Sequence, residues 1–218
     1  IAPNAFSVHP YKRRVIGSIE DLDAASLEDV RRFHATYYRP DNAILIVTGD
    51  FDPAQLNRWV DAYFGQLARP DTPIPRVTIE EPVRLAGKVV QVQGPNVPLP
   101  AVLQIWQGPR ADSPDAQALN VAQGLLAAGD SSRLNESLVY RQRIAQSAGF
   151  GAELHTDAGY LMAYAIAAGK RTPQSLVAPL MKEIERLAAG PIPADELDKV
   201  KTLLLTAALS ERQTALGL

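Results

Sequence analysis

An α+β fold, with helices laid on one face of an antiparallel sheet, is the class this sequence predicts. Three observations carry the prediction. From about residue 85 the apolar periodicity runs strand, strand, helix, helix and then repeats that order, unlike the strict alternation behind a parallel sheet. Ahead of it, residues 26–67 read as helix, strand, helix. Between the two, Arg69–Pro82 carries four prolines, which no helix interior tolerates and which form a semi-rigid connector. The expected organisation is residues 1–69 as the end of a first domain, 70–84 as connector, and 85–218 as a second domain.

Residues 1–22 are expected to be an extended leading segment, because Pro3 and Pro10 disfavour helix. Ser26 with Asp29 three residues on is an N-terminal cap, and Leu27, Val30, Phe33 and Tyr37 follow at helical spacing. Arg39-Pro40 ends that helix, since the residue before proline is pushed out of the α region. Ala43–Thr48 is an apolar, β-branched run of strand length. Asp52 then caps a helix with Pro53 at its first position, and Leu56, Trp59, Val60, Tyr63, Phe64 and Leu67 form its expected buried stripe.

Beyond the connector, residues 87–93 and 100–108 alternate as strands. A helix is expected from Asp112-Ser113-Pro114 to about Ala128, and a second after the Gly129-Asp130-Ser131-Ser132 break, through Leu134 and Leu138. Residues 147–154 and 160–168 read as an antiparallel hairpin around His155–Gly159. Thr172-Pro173 and Pro193-Ala194 open two closing helices. The similar openings Pro53-Ala-Gln-Leu and Pro193-Ala-Asp-Glu-Leu suggest that each ends one of two alike domains.

The bulk properties narrow the function classes. In 218 residues, 46% are hydrophobic and 21% charged, enough for a proper core. A net charge of −2 and no basic run longer than Lys12-Arg13-Arg14 imply no nucleic-acid partner. The longest nearly unbroken apolar stretch, 158–169, is about half a membrane span, so no membrane partner is expected. The absence of cysteine removes disulfides and thiolate metal sites. A start at Ile1 and a helical pattern still running near residue 218 lead to the expectation of a piece of a longer protein.

The residues alone display no active site. His9, His34 and His155 are too far apart for a helix-borne metal pair. No serine sits in a Gly-x-Ser-x-Gly elbow. Glu80-Glu81 and Asp195-Glu196 are neighbours whose carboxylates point different ways, a surface pattern rather than an acid–base pair.

Certain blocks nonetheless stand out together: His9-Pro10-Tyr11 with Val15-Ile16-Gly17, Tyr37-Tyr38-Arg39-Pro40-Asp41-Asn42-Ala43, and Val47-Thr48-Gly49-Asp50-Phe51-Asp52. With Ser131-Ser132-Arg133-Leu134 and Ile144-Ala145, they resemble the pitrilysin/insulinase (M16) family of zinc metallopeptidases, nearly end to end and in order. The resemblance implies two homologous M16-like domains, the first incomplete here. It implies a peptide-degrading or peptide-processing hydrolase, of which this segment would supply the non-zinc half of the chamber. A substrate strand would add to a sheet edge of the first domain. Relatives hold one zinc through His-x-x-Glu-His on an early helix and a later glutamate. Those elements fall ahead of the segment matching His9, so no metal or catalytic residue transfers to this chain, and zinc belongs to the parent protein or a partner. Many relatives also carry an arginine and, seven residues on, a tyrosine that hold the scissile peptide. Val139 and Gln146 stand at the matching positions; Gln146 keeps the ability to donate to a substrate carbonyl, whereas Val139 has none. The alternative is a non-catalytic M16-like partner subunit. Expected partners are a peptide substrate and a homologous domain or subunit. Self-association is expected too, since the aromatic stripes of residues 26–67 are sized for a fuller sheet. Similar proteins suggest a bacterial periplasm.

Overall fold

The computed structural model describes residues 1–217. In chain order the elements are α1 (Ala2–Ala5), α2 (Ile19–Ala24), α3 (Leu27–Tyr37), α4 (Pro53–Phe64) and β1 (Ala101–Gly108). They continue with α5 (Ala116–Ala127), a wide helical segment Asn135–Arg141, β2 (Ala145–Leu154), β3 (Gly159–Ala167), α6 (Gln174–Ala189) and α7 (Ala194–Glu211). Two compact units emerge: Ile1–Lys12 with Ile79–Ala207, and Arg13–Thr78 with Ala208–Leu218.

The larger unit is an antiparallel sheet of order β1-β3-β2. Its register places Val102 and Gln104 of β1 opposite Ala165 and Ala163 of β3. Ala148 and Phe150 of β2 lie opposite the same two alanines, so these residues share one face. That face is the core. Ala163, Ala165 and Ala167 are fully buried, and their small side chains let Leu126, Leu138, Leu176 and Leu180 close over the sheet. Removing that much leucine surface from water is the main favourable term, about 1.5–3 kcal/mol per side chain. The α+β architecture with an antiparallel sheet is thus as the element order predicts.

Two segments depart from expectation. Residues 1–22 are not uniformly extended: Pro3 lies in the first turn of α1, where a missing N–H costs nothing, and Ser18 caps α2 by accepting from the Asp21 N–H. Residues 87–93 form no ladder; Val89 is 98% exposed. A strand exists only through its partner, and β1 pairs here with β3 alone.

The smaller unit holds the best local matches between sequence and structure. Ser26 and Asp29 form a reciprocal capping box on α3, and Asp52 Oδ1 accepts from the Ala54 N–H at 2.8 Å to start α4. Arg39, buried, grips Asp41 through two hydrogen bonds and donates to the carbonyls of Pro70 and Thr72. Ala43–Thr48, expected as a strand, forms no ladder. The expected buried stripe of α4 is also uncovered: Trp59, Tyr63 and Phe64 are exposed. Both results have one cause, for among the described residues this unit contains no sheet to receive them.

Candidate functional site

The hinge between the wide helical segment and β2 is where Val139 and Gln146 come to lie. Bonds such as Gln142 N–H to the Ser137 carbonyl, five residues back, widen the helix there. The turn is pinned from below. Buried Ser137 donates its hydroxyl to Glu183 Oε1 of α6 at 2.7 Å and accepts from Gln142 Nε2 at 2.9 Å. Arg186 Nη2 stands 2.9 Å from the other Glu183 oxygen, an ion pair without the alignment of a hydrogen bond. A buried carboxylate with a cation and a hydroxyl beside it is a structural clamp.

Past the turn, Arg143 takes a left-handed backbone (φ 53°), unusual for a side chain bearing a Cβ. Ala145 pairs with Ala167 but Ser147 pairs with Ile166, leaving Gln146 as the extra residue of a β-bulge. The bulge explains the pattern around it: Ala145 and Ala148 are both buried, an odd spacing that regular alternation forbids, while Gln146 between them is exposed. A bulge re-aims a side chain, and here it turns an amide outward on the edge strand β2. Val139, by contrast, packs against the core cluster. The structure therefore places one of the two sequence-matched positions at the surface with donor capacity and the other in the packing.

The histidines are elsewhere. His9 is buried beside Phe6 and Tyr11, its Nδ1 accepting from the Tyr11 N–H at 3.2 Å. His155 sits edge-on to Tyr11, whose hydroxyl reaches Asp157, and His34 stacks on Tyr38. Among the described residues no group of three or more His, Cys, Asp or Glu side chains converges to hold a metal. Glu81, part exposed and in no acid–base pair, has a further structural role: its oxygens accept from the Ser7 hydroxyl and from the N–H groups of Ser7, Val8 and His9. Burial pushes its pKa up, but these four donors outweigh that and bring it down to about 2. Nothing in the doublet Glu80-Glu81 signals this, because the donors lie more than seventy residues away.

Comparison with known proteins supplies what the geometry leaves open. Residues 24–204 match the family described as the peptidase M16 inactive domain. The zinc protease PqqE of Helicobacter pylori is 32% identical over 203 residues, 90% of this chain and 45% of that protein. The crystal structure of a protease from Helicobacter pylori superposes with a TM-score of 0.92 at 27% identity, over 99% of this chain and 52% of the other. A chain of complex III2 from Candida albicans shares the fold, with a TM-score of 0.80 and 21% identity over 99% of this chain and 52% of its own. The chain thus spans about half the length of the relatives it matches. A family match over most of the sequence, on an α+β frame with no His-x-x-Glu-His in it, makes this chain a member of the peptidase M16 family, of the inactive-domain type.

Proposed function

We propose that this chain is the non-zinc part of a zinc-dependent endopeptidase, built from two homologous M16-like domains whose chamber admits flexible peptides. The observation that carries the reading is its 32% identity to a zinc protease across nine-tenths of this chain. Zinc, in this reading, is held by the parent protein or a partner subunit and supplies the polarised water. This chain contributes a wall of the chamber. Gln146, turned out by the bulge, donates its amide N–H to a substrate carbonyl, while Val139 serves packing.

The test is to assay the parent protein on a quenched fluorescent peptide, with and without a chelator, and to determine its zinc content. Chelator-sensitive hydrolysis and about one zinc per parent are expected, with none bound by this chain alone. A second reading, a non-catalytic partner subunit, draws on the likeness in fold to a chain of complex III2. It requires a parent that binds no zinc and cleaves nothing until a homologous subunit is added.

A further inference from the structure

Burying a carboxylate is costly, yet α6 carries Glu183 into the core at 4% exposure. The half-exposed guanidinium groups of Arg186 and Arg141, 2.9 and 4.0 Å from its oxygens, balance its charge. What Glu183 holds is the hydroxyl of Ser137, 46 residues earlier in the chain and 1% exposed.

From Ser137 a chain of bonds runs to the bulge. Its hydroxyl has one proton, and giving it to Glu183 leaves the lone pairs to accept from Gln142 Nε2 at 2.9 Å. The Ser137 carbonyl also accepts from the Gln142 N–H at 3.0 Å, so Gln142 is held twice. Arg143 follows with φ 53°. Ile144 is fixed from both sides, its N–H donating to the Leu138 carbonyl at 2.9 Å and its carbonyl accepting from the Ala168 N–H at 3.0 Å. A left-handed residue bearing a Cβ persists only when its surroundings over-determine it, and Gln142 and Ile144 are those surroundings. Two residues beyond Ile144 stands Gln146, in the bulge.

We infer that Glu183 is a positioning residue for peptide binding, acting through Ser137 and Gln142 to hold the turn that aims the Gln146 amide. The inference rests on the proposed donation from Gln146 to a substrate carbonyl. Ile144 takes its anchors from the helical segment and from the residue after β3, so the Glu183 chain governs the other side of Arg143. Without the carboxylate, the buried Ser137 hydroxyl loses its acceptor, and its proton can turn only toward an amide nitrogen that cannot accept it. The turn then relaxes out of the left-handed region, and the bulge loses the fixed start that sets its aim.

Two measurements on the intact parent protein test this together. One is the binding of a fluorescein-labelled, unstructured peptide, read by fluorescence anisotropy before the first turnover. The other is amide exchange, read by mass spectrometry in peptides covering 142–150 and 159–167. Glu183→Ala should weaken peptide binding about two- to tenfold, as for one lost net hydrogen bond, and so should Gln142→Ala, which cuts the chain at an exposed residue and leaves the core closed. Glu183→Gln, whose amide oxygen still accepts from Ser137, should bind like the wild type. Neither alanine variant should weaken binding further once Gln146 is alanine, because residues acting through one contact are not additive. Exchange over 142–150 should quicken about tenfold while 159–167 stays protected. A merely structural role would lower the fraction of protein able to bind and leave the Kd of the rest unchanged. Unchanged exchange over 142–150, additive losses with Gln146→Ala, or a Glu183→Gln as weak as Glu183→Ala would each overturn the inference with the role of Gln146 intact. Binding indifferent to Gln146→Ala itself would instead defeat the reading beneath it, and the inference with it.

Discussion

Gln146 and Glu81 show how differently two polar residues can be held. Gln146 is exposed on a bulge, and among the described residues its side chain makes no hydrogen bond. Its replacement by alanine should change stability by no more than about 0.5 kcal/mol, as at other open surface positions. On the proposed reading, in which it donates to a substrate carbonyl, Gln146→Ala in the parent protein should raise KM about two- to tenfold, the worth of one net hydrogen bond. An unchanged KM would remove Gln146 from the substrate path. Glu81 is the reverse case, an unremarkable surface doublet in sequence that gathers four donors in the fold. With its pKa down to about 2 from an ordinary value of 4.5, its contribution is fully present above pH 4.5 and is lost as pH falls toward 2. Glu81→Gln should therefore cost about 1 kcal/mol at neutral pH, after allowance for solvent screening. The gap between variant and wild type in urea titrations should shrink steadily from pH 5 to pH 2. A gap that does not change with pH would mean the glutamine loses packing rather than charge.

At the level of elements, the crossing of α5 and α7 turns on Gly124. A Cβ built there would overlap the Val200 side chain, and Val200 is wholly buried. Glycine to alanine inside a helix ordinarily gains roughly 1 kcal/mol. Overpacking at a closed contact costs about 1–3 kcal/mol, so the overlap wins and Gly124→Ala should lower the melting temperature. The double variant Gly124→Ala with Val200→Ala should recover part of the loss. The same scale decides what was legible in the sequence. The caps of α3 and α4 were plain, because Ser26–Asp29 and Asp52–Pro53 act within four residues of themselves. The β2–β3 hairpin was plain because its partner is the next segment along. Ala43–Thr48 and residues 87–93 carry equally good strand composition, yet composition cannot supply a partner. The bulge at Gln146 had no local signal at all. It is set by a core that needs both Ala145 and Ala148 inward, a demand visible only once β3 is in place.

For the molecule as a whole, the uncovered surface of the smaller unit has a consequence in solution. Phe33, Trp59 and Phe64 remain 57%, 51% and 52% exposed, and Ile44 and Ile46 are barer still at 89% and 77%. Fully burying such a side chain is worth about 1.5–3 kcal/mol, and one left half exposed forgoes roughly half of that. So many large apolar side chains left open within one unit make it a candidate interaction surface. The helices that present it are well formed, with capped N-termini, so the surface is ordered before any partner arrives. The expected outcome is concentration-dependent association of the isolated chain. Light scattering should show a mean mass rising above that of the 23.6 kDa monomer between micromolar and tens of micromolar protein. In a Trp106→Phe background, which leaves Trp59 as the only tryptophan, its emission should shift to shorter wavelength over the same range. Phe64→Glu should weaken both changes by setting a charge beside Trp59 and Tyr63 on the exposed face of α4. A strict monomer at every concentration, with Trp59 emission at the fully hydrated wavelength, would show that the two aromatic helices do not find a second copy of this chain.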